Sequence, residues 1–140
     1  MRTLGIALLA VSAAVAPALA EPVTADRIGI VDGDTVTIDG ESWRLLGYDT
    51  PEGEHAWCEA ERRLSAKATA RLGEIVAGAQ RIEAVTDGAR DRYKRVLGWL
   101  LVDGRDVAEI MIGEDWARPY AGGRKKGWCS RDSRDDLVPQ

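Results

Sequence analysis

Two short acidic segments of the sequence carry residue types that could do chemistry. The first runs from Asp32 to Thr35, and the second ends with Asp49, Thr50, Pro51 and Glu52. A hairpin between the segments would place Asp34 and Asp49 face to face at strand ends. Two carboxylates at close range repel each other, and a bound divalent cation removes that penalty. Because oxygen ligands favour Ca²⁺ or Mg²⁺ over softer metals, the pair indicates a hard-metal site.

The elements that must position these carboxylates are two strands joined by a tight turn. Residues 35–38 alternate polar and apolar side chains, as a half-buried strand does. The dipeptide Asp39-Gly40 that follows is a strong hairpin signal. The partner strand is expected over Trp43 to Tyr48, and residues 28–31 indicate a further strand before the first acidic turn.

The rest of the chain predicts a long helix, two strands and a short helix. Apolar residues recur at helical spacing from Glu59 to a stop at Gly78. The expected buried face consists of Ala60, Leu64, Ala68, Leu72, Ile75 and Val76. Strands are expected at 80–85 and 96–102, a short helix after Asp106, and an extended stretch over 117–120. This order predicts an α+β fold, a five-stranded OB-type β-barrel with one long and one short helix packed on it.

The N-terminus indicates export. Residues 1–20 combine Arg2, an apolar stretch and the sequence Ala18-Leu19-Ala20, the pattern of a signal peptide cleaved after Ala20. The alternative is a membrane anchor, for which the apolar stretch is short. We therefore expect a periplasmic or secreted domain over 21–140, with a polar tail from about residue 122, that is monomeric and has no stable membrane association.

The net charge of the chain limits how it could bind nucleic acid. It is −4 for the 140 residues, and loss of Arg2 with residues 1–20 would make it −5. Nucleic-acid binders are usually basic, because neutralising phosphates supplies much of their affinity. The charge therefore argues mildly against tight, general nucleic-acid binding, while leaving room for a local basic site.

The two cysteines, Cys58 and Cys129, indicate a disulfide in an oxidising compartment. Two free thiols are the alternative. Together with the one histidine, these cysteines cannot fill the four-ligand shell of a structural zinc ion.

Three segments of the chain, in this order and spacing, resemble the staphylococcal nuclease (thermonuclease) family. They are Val31 to Val36, Arg44 to Glu52 and Asp91 to Arg95, and the similarity extends from about Ile28 to Tyr120. Any one segment alone would be a weak signal, since such turns are common. The resemblance implies an OB-type barrel that hydrolyses phosphodiester bonds of DNA or RNA with Ca²⁺ and leaves 3′-phosphate ends.

Carried over position by position, the resemblance implies a metal site. Asp34 and Asp49 would bind Ca²⁺ through their carboxylates, and Thr50 through its backbone carbonyl. Asp32 would support this site from outside the metal's own ligands. Glu52 would hold or deprotonate the attacking water.

The resemblance also implies a set of phosphate contacts. Arg44 and Arg95 would grip the non-bridging oxygens, because always-charged bidentate donors suit an anionic transition state. Arg92 and Tyr93 would contact the terminal phosphate of the bound nucleotide. Tyr120 is a candidate platform for stacking a base.

Other residues are open to more than one interpretation. Arg124, Lys125 and Lys126 would either steer the nucleic-acid backbone or form a solvated tail, and His55 is expected in an exposed loop. Five tryptophans are expected to be structural. Trp43, Trp99 and Trp116 would lie in the core or at a barrel end, and Trp57 and Trp128 would pack on the disulfide.

Two departures from the family pattern concern whole segments of the chain. The segment between Glu52 and the long helix is short. Residues 132–140 hold just two large apolar residues, Leu137 and Val138, so no packed final helix is expected there.

Two other functions remain open beside a calcium-dependent endonuclease. One is a non-catalytic nucleic-acid-binding OB-fold module, which would have no need of Glu52. The other is an exported domain whose acidic cluster binds Ca²⁺ for stability alone. Arg44 and Arg95 argue against that third function, because cations beside a metal weaken its binding unless an anion lies between them.

Overall fold

Within residues 19–129, which the computed structural model describes, short strands and two helices alternate along the chain. The strands are β1 (Leu19–Val23), β2 (Ile28–Ile30), β3 (Thr35–Ile38), β4 (Glu41–Leu45), β5 (Gly47–Asp49), β6 (Ile82–Thr86), β7 (Val96–Val102), β8 (Arg105–Asp106) and β9 (Arg118–Tyr120). The helices are α1 (Glu59–Gly78) and α2 (Val107–Gly113). All but the last two residues of the predicted signal peptide, and residues 130–140 of the predicted tail, lie outside the described residues.

Most strands form one curled sheet in the order β1-β6-β7-β4-β3-β2. β4 runs parallel to β7, and the other neighbours on this path are antiparallel. β1 and β2 stand at opposite ends of this order, yet residues 24–27 alone separate them in the chain, so the sheet curls back on itself. With β1 and β2 counted as one bent strand, this path contains five strands, the number predicted for an OB-type barrel.

The hairpin of β3 and β4 forms at the predicted turn. Asp39 and Gly40 have φ values of 51° and 82°, which suit a two-residue hairpin turn. The strand period of two then buries Trp43 in the core and turns Arg44 to the opposite face of the hairpin. This alternation sends one arginine toward the first acidic turn.

The strand expected over residues 43–48 is in fact two strands, so that prediction is wrong in detail. The chain bends at Leu46, whose amide bonds to the carbonyl of Gly98, and Gly47 has a φ of 91°. After this bend β5 leaves the main sheet and pairs with β9. The bend is what carries Asp49, at the end of β5, beside the first acidic turn.

Helix α1 has the predicted bounds, but the first half of its buried face differs from the prediction. Its buried residues are Glu61, Ser65, Ala68, Leu72, Ile75 and Val76. Ala60 and Leu64, expected on this face, are half-buried. The first turn packs against the loop at residues 51–57, whose backbone amides need an acceptor, and Glu61 supplies it.

The second half of the chain follows the predicted order. β7 has the predicted bounds, β6 begins two residues later than expected, and Asp106 caps α2 by accepting a hydrogen bond from the amide of Ala108 at 2.9 Å. Trp43 is buried, Trp116 packs against the core and Trp99 is half-buried. Neither α1 nor α2 combines the length and apolar character that crossing a bilayer requires.

The predicted disulfide joins Cys58 to Cys129, with 6.1 Å between their Cα atoms. It links the residue before α1 to a position 71 residues later. Trp57 does not pack on it, because this side chain is 74% exposed. Trp128 instead stacks under the guanidinium of Arg118, 3.7 Å from its ring centre.

Candidate active site

The first acidic turn is fixed to the second acidic segment by its backbone. Asp32 Oδ1 accepts a hydrogen bond from the amide of Asp34 at 3.0 Å, which closes the turn. The Tyr48 hydroxyl donates to the carbonyl of Gly33 at 2.9 Å. A Cβ at Gly33 would lie 2.8 Å from the side chain of Thr50, so glycine allows the two segments to touch.

Asp34 is buried among donors. Its Oδ2 accepts from the amide of Thr50 at 3.1 Å and lies 3.0 Å from Arg44 Nη2. Burial raises the pKa of Asp34 to about 6, with Asp32 adding to the rise, while Arg44 and the Thr50 amide act against it. Burial therefore disfavours the ionised carboxylate despite its arginine partner.

Asp49 is equally buried and lies beside Asp34, as the sequence predicts. Its Oδ1 lies 3.6 Å from Arg44 Nη2, so one guanidinium nitrogen is close to both carboxylates. Its Oδ2 accepts from Trp128 Nε1 at 3.4 Å. Lys125 Nζ lies 2.7 Å from Oδ1 and forms an ion pair with it, and within residues 19–129 no other donor bonds to this buried oxygen.

Arg44 is held more tightly than the sequence suggests. It is buried, and its guanidinium donates to the carbonyls of Asp34, Leu45 and Tyr48. Backbone groups of both acidic segments thus fix the orientation of the guanidinium. The fixed group presents its charge to Asp34 and Asp49 at once.

Arg95 approaches the same cluster from the loop before β7. Its Nε donates to Asp91 Oδ2 at 2.8 Å, and its Nη1 donates to Thr35 Oγ1 at 3.3 Å, beside Asp34. Burial acts to raise the pKa of Asp91, but hydrogen bonds from Arg95 outweigh it and lower that pKa. Asp91, which the sequence did not single out, therefore orients the predicted phosphate-binding arginine.

Arg92 and Tyr93 lie on this loop as an exposed pair. Arg92 Nη2 donates to the Tyr93 hydroxyl at 2.7 Å, and the guanidiniums of Arg92 and Arg95 lie 4.8 and 5.5 Å from the Tyr93 ring centre. Tyr120 lies in β9, two positions beyond the partner of Asp49, and its hydroxyl donates to the carbonyl of Gly123 at 2.8 Å.

Glu52 is joined to a residue that sequence reasoning missed. Its amide donates to Glu61 Oε1 at 3.2 Å, and the amide of Trp57 donates to Glu61 Oε2 at 2.8 Å. The buried Glu61 carboxylate therefore shapes the loop that carries Glu52. The sequence offered one signal for Glu61. It lies four residues before Ser65 and seven before Ala68, a spacing that places it on the buried face of α1. His55, in the same loop, is exposed as expected.

Lys125 is a further residue that the sequence did not place in the site. Its Nζ lies 2.9 Å from Glu52 Oε1, in addition to its approach to Asp49. Burial acts to lower the pKa of Lys125, but attraction to Asp49 and Glu52 outweighs it and raises that pKa to about 12. No local pattern in the sequence distinguishes this lysine from Arg124 or Lys126.

Comparison with known proteins places the chain in a family. Residues 42–133 match the family described as "Staphylococcal nuclease homologue". The chain belongs to the staphylococcal nuclease family. The match contains Arg44, Asp49, Glu52 and Arg95, and the first acidic turn with Asp34 precedes it.

Three curated proteins illustrate the similarity of this chain to known proteins. The SPbeta prophage-derived endonuclease YokF of Bacillus subtilis is 37% identical over 101 residues, 69% of this chain and 33% of YokF. Endonuclease YncB of the same organism is 33% identical over 101 residues, 69% of this chain and 46% of YncB. The succinoglycan biosynthesis protein ExoI of Rhizobium meliloti is 33% identical over 115 residues, 79% of this chain and 59% of ExoI. The chain thus spans between a third and three fifths of the length of these relatives.

The donor set fits the hard divalent cation implied for a staphylococcal nuclease site. Asp34 and Asp49 each bring a carboxylate oxygen within 3.6 Å of the same Arg44 nitrogen, and Thr50 follows Asp49 in the chain. Asp49 Oδ1, a buried carboxylate oxygen whose close partner is the ammonium of Lys125, is the type of atom that a hard divalent cation binds. A second cluster that could hold a metal, Cys58 with Glu61 and Cys129, has both sulfurs in the disulfide and so offers no thiolate.

Proposed function

We propose that this chain is a Ca²⁺-dependent endonuclease that hydrolyses phosphodiester bonds of DNA or RNA. The observation that carries the proposal is the convergence of two buried carboxylates, Asp34 and Asp49, on one nitrogen of Arg44. Glu52 and Arg95 border this cluster at the positions that the family resemblance implies. The endonuclease names of YokF and YncB support the same reaction class.

The metal would be held by the carboxylates of Asp34 and Asp49 and the backbone carbonyl of Thr50, with Asp32 closing the turn behind them. When bound, Ca²⁺ supplies charge that neutralises phosphate oxygens and lowers the pKa of a coordinated water. Proton release from Asp34 precedes its use as a ligand, since burial raises its pKa to about 6. Neutral pH lies above this pKa and therefore favours the ionised carboxylate of Asp34.

The chain's own residues supply the remaining steps. Arg95, oriented by Asp91, holds the non-bridging oxygens of the phosphate. Arg44 does so too, after exchanging part of its hydrogen bonding to the three backbone carbonyls for the phosphate. Glu52 takes the proton of the attacking water as general base, an effect of about 10²–10⁴-fold. Its partly exposed carboxylate, with 43% of the side chain open to solvent, leaves space for that water.

Product and substrate contacts follow from the family resemblance. Water attack with departure of the 5′ oxygen leaves a 3′-phosphate end. The exposed pair of Arg92 and Tyr93 holds the terminal phosphate of the bound nucleotide, and Tyr120 stacks on a base. The protein acts outside the cytoplasm and as a monomer. The disulfide supports an oxidising compartment.

Cleavage of single-stranded DNA by the purified oxidised protein tests this function. We expect cleavage with Ca²⁺, none with chelator, and a loss of at least about a hundredfold in kcat for Glu52→Gln and for Arg95→Ala. Glu54→Gln, which changes an exposed residue of the same loop, serves as the matched control and should keep full activity. DNA binding without Ca²⁺-dependent cleavage by the unmutated protein would instead indicate the non-catalytic binding module.

A further inference from the structure

The chain's own C-terminal segment reaches into the carboxylate cluster. Lys125 Nζ lies 2.7 Å from Asp49 Oδ1 and 2.9 Å from Glu52 Oε1, although 73 residues separate Glu52 from Lys125. Protein oxygens bind Ca²⁺ at about 2.3–2.6 Å, only slightly shorter than these distances. A positive charge of the chain therefore lies beside the buried Oδ1 of the proposed metal ligand Asp49.

Three contacts hold residues 122–129, here called the strap, across the site. Cys129 is disulfide-bonded to the residue that precedes α1. Trp128 donates its indole N–H to Asp49 Oδ2 at 3.4 Å. The guanidinium of Arg118 lies 3.7 Å from the ring centre of Trp128 and so covers its face. The strap is thus tied to α1, to β9 and to the carboxylate itself.

We infer that Lys125 is a tethered competitor of the divalent cation, which must displace its ammonium group from Asp49 and Glu52. The inference rests on the proposed Ca²⁺ site. Two cations cannot share the Asp49 oxygen without strong repulsion, so a bound metal requires the ammonium to move away. Even after it moves, the strap keeps the charge nearby and lowers the affinity of the metal.

The disulfide sets how strongly Lys125 competes. A group on a short tether acts at an effective concentration in the millimolar range, well above that of a free competitor at trace level. Opening the Cys58–Cys129 bond would release the strap and lower that concentration. Metal affinity therefore depends on the redox state of the disulfide, and this dependence acts through Lys125.

Calorimetric titration of Ca²⁺ into the oxidised full chain, without nucleic acid, tests the inference. Lys125→Met keeps the length and apolar stem of the side chain and removes its charge. We expect it to lower the Kd for Ca²⁺ by about fivefold or more. Lys126→Met is the matched control, because it removes the same charge from an exposed neighbour that forms no ion pair within residues 19–129. It should change the Kd by less than about twofold.

Two results would overturn the inference. One is an unchanged or raised Kd in Lys125→Met. The other is an equal fall in Lys126→Met, which would show a general charge effect and no competition at Asp49. A reduced sample adds a second measurement: thiol treatment should lower the Kd of the unmutated protein and leave that of Lys125→Met unchanged, with circular dichroism reporting whether the fold persists.

The same titration separates this inference from the proposed function. Ca²⁺ binding that is lost in Asp49→Asn but equal in Lys125→Met and the unmutated protein leaves the proposed metal site intact and removes the competitor alone. Absence of Ca²⁺ binding in every variant, Lys125→Met included, removes the proposed metal site and the inference with it.

Discussion

At the scale of single residues, the site buries carboxylates in a place where burial disfavours their charged form. Burial raises the pKa of Asp34 to about 6, against 3.8 for an ordinary aspartate, even with Arg44 at 3.0 Å. For a carboxylate whose folded pKa is raised, the stability of the metal-free protein is greatest below the unfolded pKa and falls as pH rises through the folded pKa. The ionised carboxylate of Asp34 therefore lowers the folding stability, and a bound cation would remove this destabilisation.

Replacing Asp34 by Asn should separate metal binding from stability. The variant loses a ligand charge, so we expect Ca²⁺ affinity to fall at least about tenfold. With chelator at pH 8, the free energy of unfolding should equal that of the unmutated protein or exceed it by up to about 2 kcal/mol. Urea unfolding measures the second quantity. A loss above about 1 kcal/mol would show that the ion pair with Arg44 outweighs the burial of Asp34.

At the scale of elements, the bend between β4 and β5 decides whether the two carboxylates meet. Gly47 has a φ of 91°, and a Cβ there would lie at an ordinary 3.5 Å from that of Ala108. The space around residue 47 would admit a Cβ, but the positive φ disfavours any residue that has one. The bend in turn sets the direction of β5, and with it the position of Asp49.

We expect Gly47→Ala to destabilise the fold by about 1–2 kcal/mol, the usual cost of a left-handed conformation for a residue with a Cβ. Because the strain falls at the start of β5, activity should fall more than stability alone explains. Thermal unfolding and DNA cleavage at a temperature where the variant is folded measure the two effects. Gly78→Ala is the matched control: it ends α1 in open space, without positive φ, and should be neutral or slightly stabilising.

Local patterns predicted the elements that local forces decide. The Asp39-Gly40 hairpin, the bounds of α1 and the bounds of β7 all follow from turn chemistry and periodicity. The bend at Gly47 did not follow, because a single glycine in an apolar run is compatible with a continuous strand. The buried face of α1 was wrong at Ala60 and Leu64 because its first turn packs on loop amides, so a carboxylate takes the place that periodicity gives to apolar residues.

The residues of the candidate site also fall into two groups, those that local sequence patterns predict and those that long-range contacts bring in. Asp34, Arg44, Asp49 and Glu52 lie close together in sequence, so one hairpin and one bend bring them together. Lys125 reaches the site through the disulfide and the strap, 73 residues after Glu52, and spacing cannot show such a contact. The glutamate at position 61 was hidden for a different reason, because a charged residue at a helical spacing usually faces solvent.

At the scale of the whole molecule, the proposed function requires an acidic protein to bind an acidic polymer. The net charge is −4, while a small basic group stands beside the site on the loop of residues 91–95 and the strap. Phosphate contacts are therefore expected to be few and local. A general basic surface would instead give many contacts and a strong salt dependence of binding.

We expect the affinity of the inactive Glu52→Gln variant for single-stranded DNA to depend weakly on salt. With about two to four phosphates neutralised, the slope of log K against log salt should be about −1.5 to −3. Fluorescence anisotropy with a labelled oligonucleotide at several salt concentrations measures this slope. Adding Arg92→Ala should reduce its magnitude by about 0.7, because one phosphate contact is lost.

Arg81→Ala removes the same charge at the other end of β7, where residue 82 pairs with Val102, and should leave the slope unchanged. A slope steeper than about −5 would contradict a local contact set, since it requires roughly seven or more neutralised phosphates. An equal effect of Arg81→Ala and Arg92→Ala would mean that net charge governs binding and the loop of residues 91–95 does not. A shallow slope that responds to Arg92 alone would mean that a few charges beside the carboxylates are enough for an acidic barrel to bind its polymer.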